Sequence, residues 1–112
     1  MLPSVLKRAS GPEESFSLAM DAELTAFQGH FPGRPILPGV VQVDWAIAFG
    51  AQAFGDLGRF RGIQHLKFQD IIQPGEVVDL TLGFEPAAGR LRFRYLAGAV
   101  RKSSGVILFA RS

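Results

Sequence analysis

The strongest pattern in the chain is a run from Pro38 to about Phe54 in which nearly every position is apolar: Val40, Val41, Val43, Trp45, Ala46, Ile47, Ala48, Phe49, Ala51, Ala53 and Phe54. Pro38-Gly39 opens it and Gly55 closes it. Pro suits a helix start because the N–H it lacks would be unpaired there anyway, and Gly is the usual residue just past a helix end. The spacing predicts one helix with no polar side, and a helix apolar all round is buried all round. Elsewhere the period changes to two. Glu14–Met20 puts Phe16, Leu18 and Met20 on one face, after a turn at Ser10–Glu14 that separates two short extended segments. Arg61–Ile72, Glu76–Glu85, Arg90–Arg101 and Gly105–Arg111 read as further strands, with turns at Pro74-Gly75 and Pro86–Gly89. Short turns between successive strands favour antiparallel pairing. One buried helix with five or six strands predicts an α+β fold in which an antiparallel sheet wraps around a long central helix.

Length and composition narrow the function. At 112 residues the chain is expected to be one domain, residues 1–112. The absence of Cys removes disulfides, thiolate metal sites and cysteine nucleophiles together. Two His without Cys argue against a structural zinc site, so no metal is expected. A net charge of +2 gives no ground for nucleic-acid binding. The longest candidate for a membrane span, Ile36–Phe54, is interrupted by Pro38, Gly39, Gln42, Asp44 and Gln52. The start, Met1–Arg8, lacks the basic-then-apolar order of a signal peptide, and a cytoplasmic location is the expectation. Charge is uneven, however: all 10 acids precede Pro86, and Arg90, Arg92, Arg94, Arg101, Lys102 and Arg111 follow it. This basic third is either a surface for an acidic partner or a solvated sheet face.

Asp44 is the informative residue. Its helical neighbours three and four positions away are Val40, Val41, Ile47 and Ala48, all apolar. Burial there is expected to raise its pKa and favour the neutral, proton-donating acid; the alternative is a buried Asp satisfied by backbone or hydroxyl groups. His30 sits in the stiff Gly29–Pro35 segment just before the helix and suits a general base, or else a loop histidine bonded to backbone. His65 lies in a strand and by alternation shares a face with Ile63, Lys67 and Gln69, which reads as a sheet-face position. The N–H groups of Gly39 and Val40, at the helix start, are free to hold the oxygen of a polarised carbonyl. A base, an oxyanion site and an acid together suit proton abstraction next to a carbonyl, followed by loss of a β-substituent.

The string Gly29-His30-Phe31-Pro32-Gly33-Arg34-Pro35-Ile36-Leu37-Pro38-Gly39-Val40 closely resembles the HFPGxPxxPGV signature of hotdog-fold 3-hydroxyacyl-acyl-carrier-protein dehydratases of the FabA/FabZ type. Gln73-Pro74-Gly75-Glu76 after a strand resembles that family's second landmark. Asp44-Trp45 and the short chain look most like the small ApeI-like dehydratases of aryl-polyene gene clusters. The resemblance spans roughly Phe27–Asp79 and implies a hotdog fold, with His30 and Asp44 as the catalytic pair and Phe31, Pro38, Gly39 and Val40 against the substrate. It implies reversible dehydration of a 3-hydroxyacyl thioester to the trans-2-enoyl thioester, with no cofactor beyond the phosphopantetheine of acyl carrier protein. It also implies a homodimer with shared sites, His30 of one subunit facing Asp44 of the other, or a heterodimer with a related subunit. One departure stands out: the family Gln one turn after the acid is Ala48 here. Arg34, Arg59 and Arg61, or the Arg90–Arg94 stripe, are the candidate contacts for the acidic carrier. The rival expectations are an acyl thioesterase on the same fold and a non-catalytic acyl-carrier-binding subunit.

Overall fold

The computed structural model describes residues 1–28 and 33–111. Within these residues six strands, β1 (Ser4–Ser10), β2 (Glu14–Ala19), β3 (Arg59–Phe68), β4 (Val77–Glu85), β5 (Arg90–Ala97) and β6 (Val100–Ala110), accompany one long helix, α1 (Gly39–Phe54), and a short 3-10 turn at Thr25–Phe27. The strands form one sheet in the order β1-β2-β4-β5-β6-β3, antiparallel throughout. Among the described residues no helix is long and apolar enough to cross a membrane.

The helix follows the sequence pattern closely, starting after Pro38 and ending where the Gly55 N–H bonds to the Ala51 carbonyl. Its buried side packs on the inward residues of the sheet. Phe16 and Leu18 of β2, Val78, Leu80 and Leu82 of β4, Leu91, Phe93 and Tyr95 of β5 and Ile107 of β6 are all essentially inaccessible. The Phe16 and Phe49 rings lie 4.9 Å apart. Gly50 brings helix and sheet together: a Cβ there would sit 2.9 Å from the Leu91 side chain.

Three expectations need correction. The hairpin between the last two strands turns at Gly98-Ala99, not between Arg101 and Gly105. Gly98 has φ +59°, the conformation a two-residue hairpin loop takes most easily at Gly, and from Ser103 to Ala110 the strand alternates regularly. The strand expected at Arg61–Ile72 begins at Arg59 and stops at Phe68, because the next residues leave the ladder. The Gln69 and Asp70 N–H groups both bond to the Lys102 carbonyl, and the Ile72 carbonyl accepts from Leu37. His65, finally, does not share a face with Ile63. A bulge between Gln64 and Lys67 puts three residues of β3 against two of β6, with His65 at φ +55°. The inserted residue puts Ile63 and Leu66 on one face and turns His65 towards the outer face with Lys67.

The helix is not buried all round. Val40 is 70% exposed, and Asp44, Ala51 and Gln52 are also on the surface. Beside this stripe lies the edge strand β3, with Phe60, Ile63, Leu66 and Phe68 exposed as well. One six-stranded sheet covers a single side of a helix that has two apolar sides.

Candidate active site

The segment leading into the helix is held at both polar groups of one residue. The Leu37 N–H donates to the Ile72 carbonyl at 2.8 Å, and the Leu37 carbonyl accepts from Gln42 Nε2 at 3.1 Å. Pro38 then caps the helix without a side-chain hydrogen bond. Its carbonyl takes the N–H groups of Val41 and Gln42. Among the described residues the N–H groups of Gly39 and Val40 have no backbone acceptor. The two residues that carry these donors, at the positive end of the helix dipole, border solvent-accessible space.

That space is an apolar cleft of about 430 Å³ between α1 and β3, lined by Gly39, Val40, Val43, Asp44, Ile47, Phe60, Ile63, Leu66 and Phe68. Phe68 forms its wall at the helix start, where a Cβ on Gly39 would meet the ring at 2.5 Å. Asp44 lies one turn along the helix from the two donors and, among the described residues, is the only charged one lining the cleft. On its other side the same residue borders a second cleft of about 440 Å³, lined by Met1, Leu2, Thr25, Ala26, Val41, Trp45 and Ala48. The small Ala48, where the resembling family has Gln, leaves that side open.

The expected burial of Asp44 is not supplied by its own chain: the residue is exposed. Its apolar helical neighbours do not enclose it, because Val40 and Ile47 border the same open cleft and Val41 and Ala48 the second one. The structure brings together Asp44, Gly39 and Val40 of the expected site and sets Pro38 directly before them. His30 and Phe31 lie outside the described residues.

Sequence reasoning missed a buried polar cluster behind the helix start. Gln42 is 3% exposed in the middle of the apolar run. Its Oε1 accepts from Ser103 Oγ at 2.6 Å, and its main-chain carbonyl accepts from the Tyr95 hydroxyl at 2.6 Å. Burial pushes the Tyr95 phenol well above its ordinary pKa, so it stays a donor. Lys102, also buried, pairs with Asp70 at 3.3 Å and Glu76 at 3.0 Å and donates to the Ile71 carbonyl at 2.8 Å. Burial alone would lower its pKa; the hydrogen bonds and charges of Glu76 and Asp70 outweigh that and hold it above the ordinary lysine value. Asp70 is held below the ordinary carboxylate value by the Ile71 N–H and then by Lys102. The signal for this cluster was present in the chain: Gln42 stands between valines in the apolar run that forms the helix.

The Arg stripe of β5 is largely engaged. Arg90 and Arg92 pair with Glu85, and Arg94 pairs with Glu13 at 2.8 Å. With His65, Lys67, Thr81 and Ser104 the last two border a small groove on the outer face, away from the helix. Arg34, Arg59 and Arg61 are exposed, and among the described residues none of them forms an ion pair.

An antiparallel sheet folded over one long helix is the architecture of the hotdog dehydratases. Solved structures agree. One chain of the dehydratase heterocomplex ApeI:P from Xenorhabdus doucetiae superimposes with a TM-score of 0.91 at 33% identity, covering 99% of this chain and 100% of that one. The dehydratase domain of the polyketide PpsC from Mycobacterium tuberculosis shares the fold, with a TM-score of 0.74 at 17% identity over 100% of this chain and 46% of that one. The chain belongs to the ApeI-like dehydratase family, whose model matches residues 7–106. A 3-hydroxyacyl-acyl-carrier-protein dehydratase, FabZ, of Novosphingobium aromaticivorans is 40% identical over 74 residues, 58% of this chain and 47% of the relative. The chain thus spans about half the length of the curated relatives it matches.

Proposed function

We propose that the protein catalyses the reversible dehydration of a 3-hydroxyacyl thioester, carried on the phosphopantetheine of acyl carrier protein, to the trans-2-enoyl thioester. One observation carries this reading: Asp44 lines the same apolar cleft as Gly39 and Val40, whose N–H groups have no backbone acceptor among the described residues. The thioester carbonyl accepts from the Gly39 N–H, which stabilises negative charge developing on the oxygen as the α-proton leaves. His30 takes that proton. The C3–O bond then breaks, Asp44 gives its proton to the departing hydroxyl, and water leaves as the C2–C3 double bond forms. A proton passing from His30 back to Asp44 restores the starting state. No metal or redox group takes part in these steps.

A second subunit completes the site. It covers the exposed face of Val40, Phe60, Ile63, Leu66 and Phe68 and encloses Asp44. In this arrangement His30 of one subunit faces Asp44 of the other. The ApeI:P assembly of the Xenorhabdus relative supports a related but different subunit as the alternative to a second copy. Arg34, Arg59 and Arg61, being without ion-pair partners among the described residues, suit an acidic carrier better than the Glu-paired stripe of β5. The protein acts where such carriers are charged, in the cytoplasm.

The test is a mass measurement on a 3-hydroxyacyl pantetheine thioester incubated with the protein. Loss of one water is expected. Release of the free acid would instead indicate a thioesterase, and a bound, unchanged substrate a non-catalytic subunit; either result contradicts the proposal.

A further inference from the structure

We propose that Gln42 is a positioning residue, whose carboxamide, oriented by Ser103, aims the Gly39 N–H at the substrate carbonyl. This rests on the dehydratase reading above and adds to it a specific support for the oxyanion site. Leu37 is the residue just before the helix cap, and Gln42 is the fourth residue of the helix. These are the two positions at which a hydrophobic contact commonly fixes the angle between a helix and the chain leading into it. Here the contact is polar: Gln42 Nε2 donates to the Leu37 carbonyl at 3.1 Å. The Leu37 N–H is fixed separately by the Ile72 carbonyl. With both of its peptide groups held, Leu37 leaves little freedom to the Pro38–Gly39 peptide that carries the donor.

A free carboxamide can turn either end towards Leu37, and only its NH₂ end can donate. The Ser103 hydroxyl settles the direction by donating to Gln42 Oε1. The strand is built to supply that hydroxyl. Between the Leu96–Arg101 and Tyr95–Ser103 pairs, β6 advances two residues while β5 advances one, which leaves Lys102 as the extra residue of a bulge. Adjacent residues then both reach buried positions. Ser103 holds Gln42, and Lys102 holds Asp70, Glu76 and the Ile71 carbonyl, the loop from which Ile72 accepts the Leu37 N–H. Neighbouring residues of β6 thus control both peptide groups of Leu37. A Gln in the core is costly unless its polar atoms are paired, and an apolar residue of similar length would fill the space equally well.

Gln42→Met keeps the length and removes both side-chain hydrogen bonds. It is expected to lower kcat about 10- to 100-fold, less than the roughly 10²- to 10³-fold cost of removing an oxyanion donor outright because the Gly39 N–H stays and only its aim is lost, with KM changed less than about twofold. A bound trans-2-enoyl pantetheine thioester labelled with ¹³C at its carbonyl gives the direct readout. In the wild type the carbonyl stretch is expected to shift to lower frequency than in water, and in Gln42→Met that shift is expected to shrink. Ser103→Ala, which leaves Gln42 in place, is expected to move both quantities in the same direction by less, and it decides the question if Gln42→Met does not fold. A folded Gln42→Met, or Ser103→Ala in its stead, with wild-type kcat and an unchanged carbonyl shift overturns the proposal. A wild type that removes no water overturns the dehydratase reading instead, while the carbonyl frequency still reports on Gln42.

Discussion

Asp44→Asn is expected to reduce turnover of a 3-hydroxyacyl thioester about 10²- to 10⁴-fold, the range typical for removing a positioned general acid. The amide keeps the size and the hydrogen-bonding reach of the carboxyl but has no proton to give to the departing hydroxyl. Asp44 is exposed in the chain, and among the described residues no side-chain hydrogen bond or ion pair involves it. The melting temperature should therefore hardly move, consistent with a stability change within about 0.5 kcal/mol. Steady-state kinetics beside a thermal melt check both halves. A variant that keeps full turnover removes Asp44 from the mechanism. A variant that loses activity only by unfolding removes the argument from its exposure.

Phe60→Asp is expected to produce a folded monomer without dehydratase activity. The Phe60 side chain is 56% exposed at the edge of the sheet and adjoins Ile63, Leu66 and Phe68 along the cleft. Within its own chain its aromatic partner is Phe109, edge-on at 6.5 Å, an arrangement worth about 1 kcal/mol. Across a subunit interface the same ring contributes about 1.5–3 kcal/mol of apolar burial. Replacing it by a carboxylate adds the cost of burying a charge, so the dimer dissociation constant should rise by about 100-fold or more. Sedimentation, with turnover measured on the same sample, reads the result. An active monomer would show that one chain holds a complete site.

Much of this architecture was legible in the chain because it depends on local rules. Pro38 and Gly55 bracket an apolar run of helical length, and the two-residue period of Glu14–Met20 puts Phe16 and Leu18 in the core. The misreadings share a different cause. The bulge at His65 reverses an alternation that looks regular, and it is set by pairing with Val106 and Ser104 some forty residues away. The turn at Gly98-Ala99 is short enough that the flanking alternation hides it. The exposure of Asp44 could not follow from its helical neighbours, since apolar neighbours imply burial only if something covers them. The link between Gln42 and Ser103 joins residues 61 positions apart, so the sequence marks only one end of it. Of the candidate site, the helix-start donors and the acid were legible; the support that holds them was not.

A dehydration site shared between two subunits is tested most directly by complementation. His30→Ala and Asp44→Asn, each inactive alone, are co-expressed or exchanged and assayed for loss of water. In a shared-site dimer half the molecules are mixed and each mixed dimer has one intact site, so about a quarter of wild-type activity is predicted to return. No recovery from a mixture shown to contain mixed dimers would contradict it, because His30 and Asp44 would then have to act within one chain.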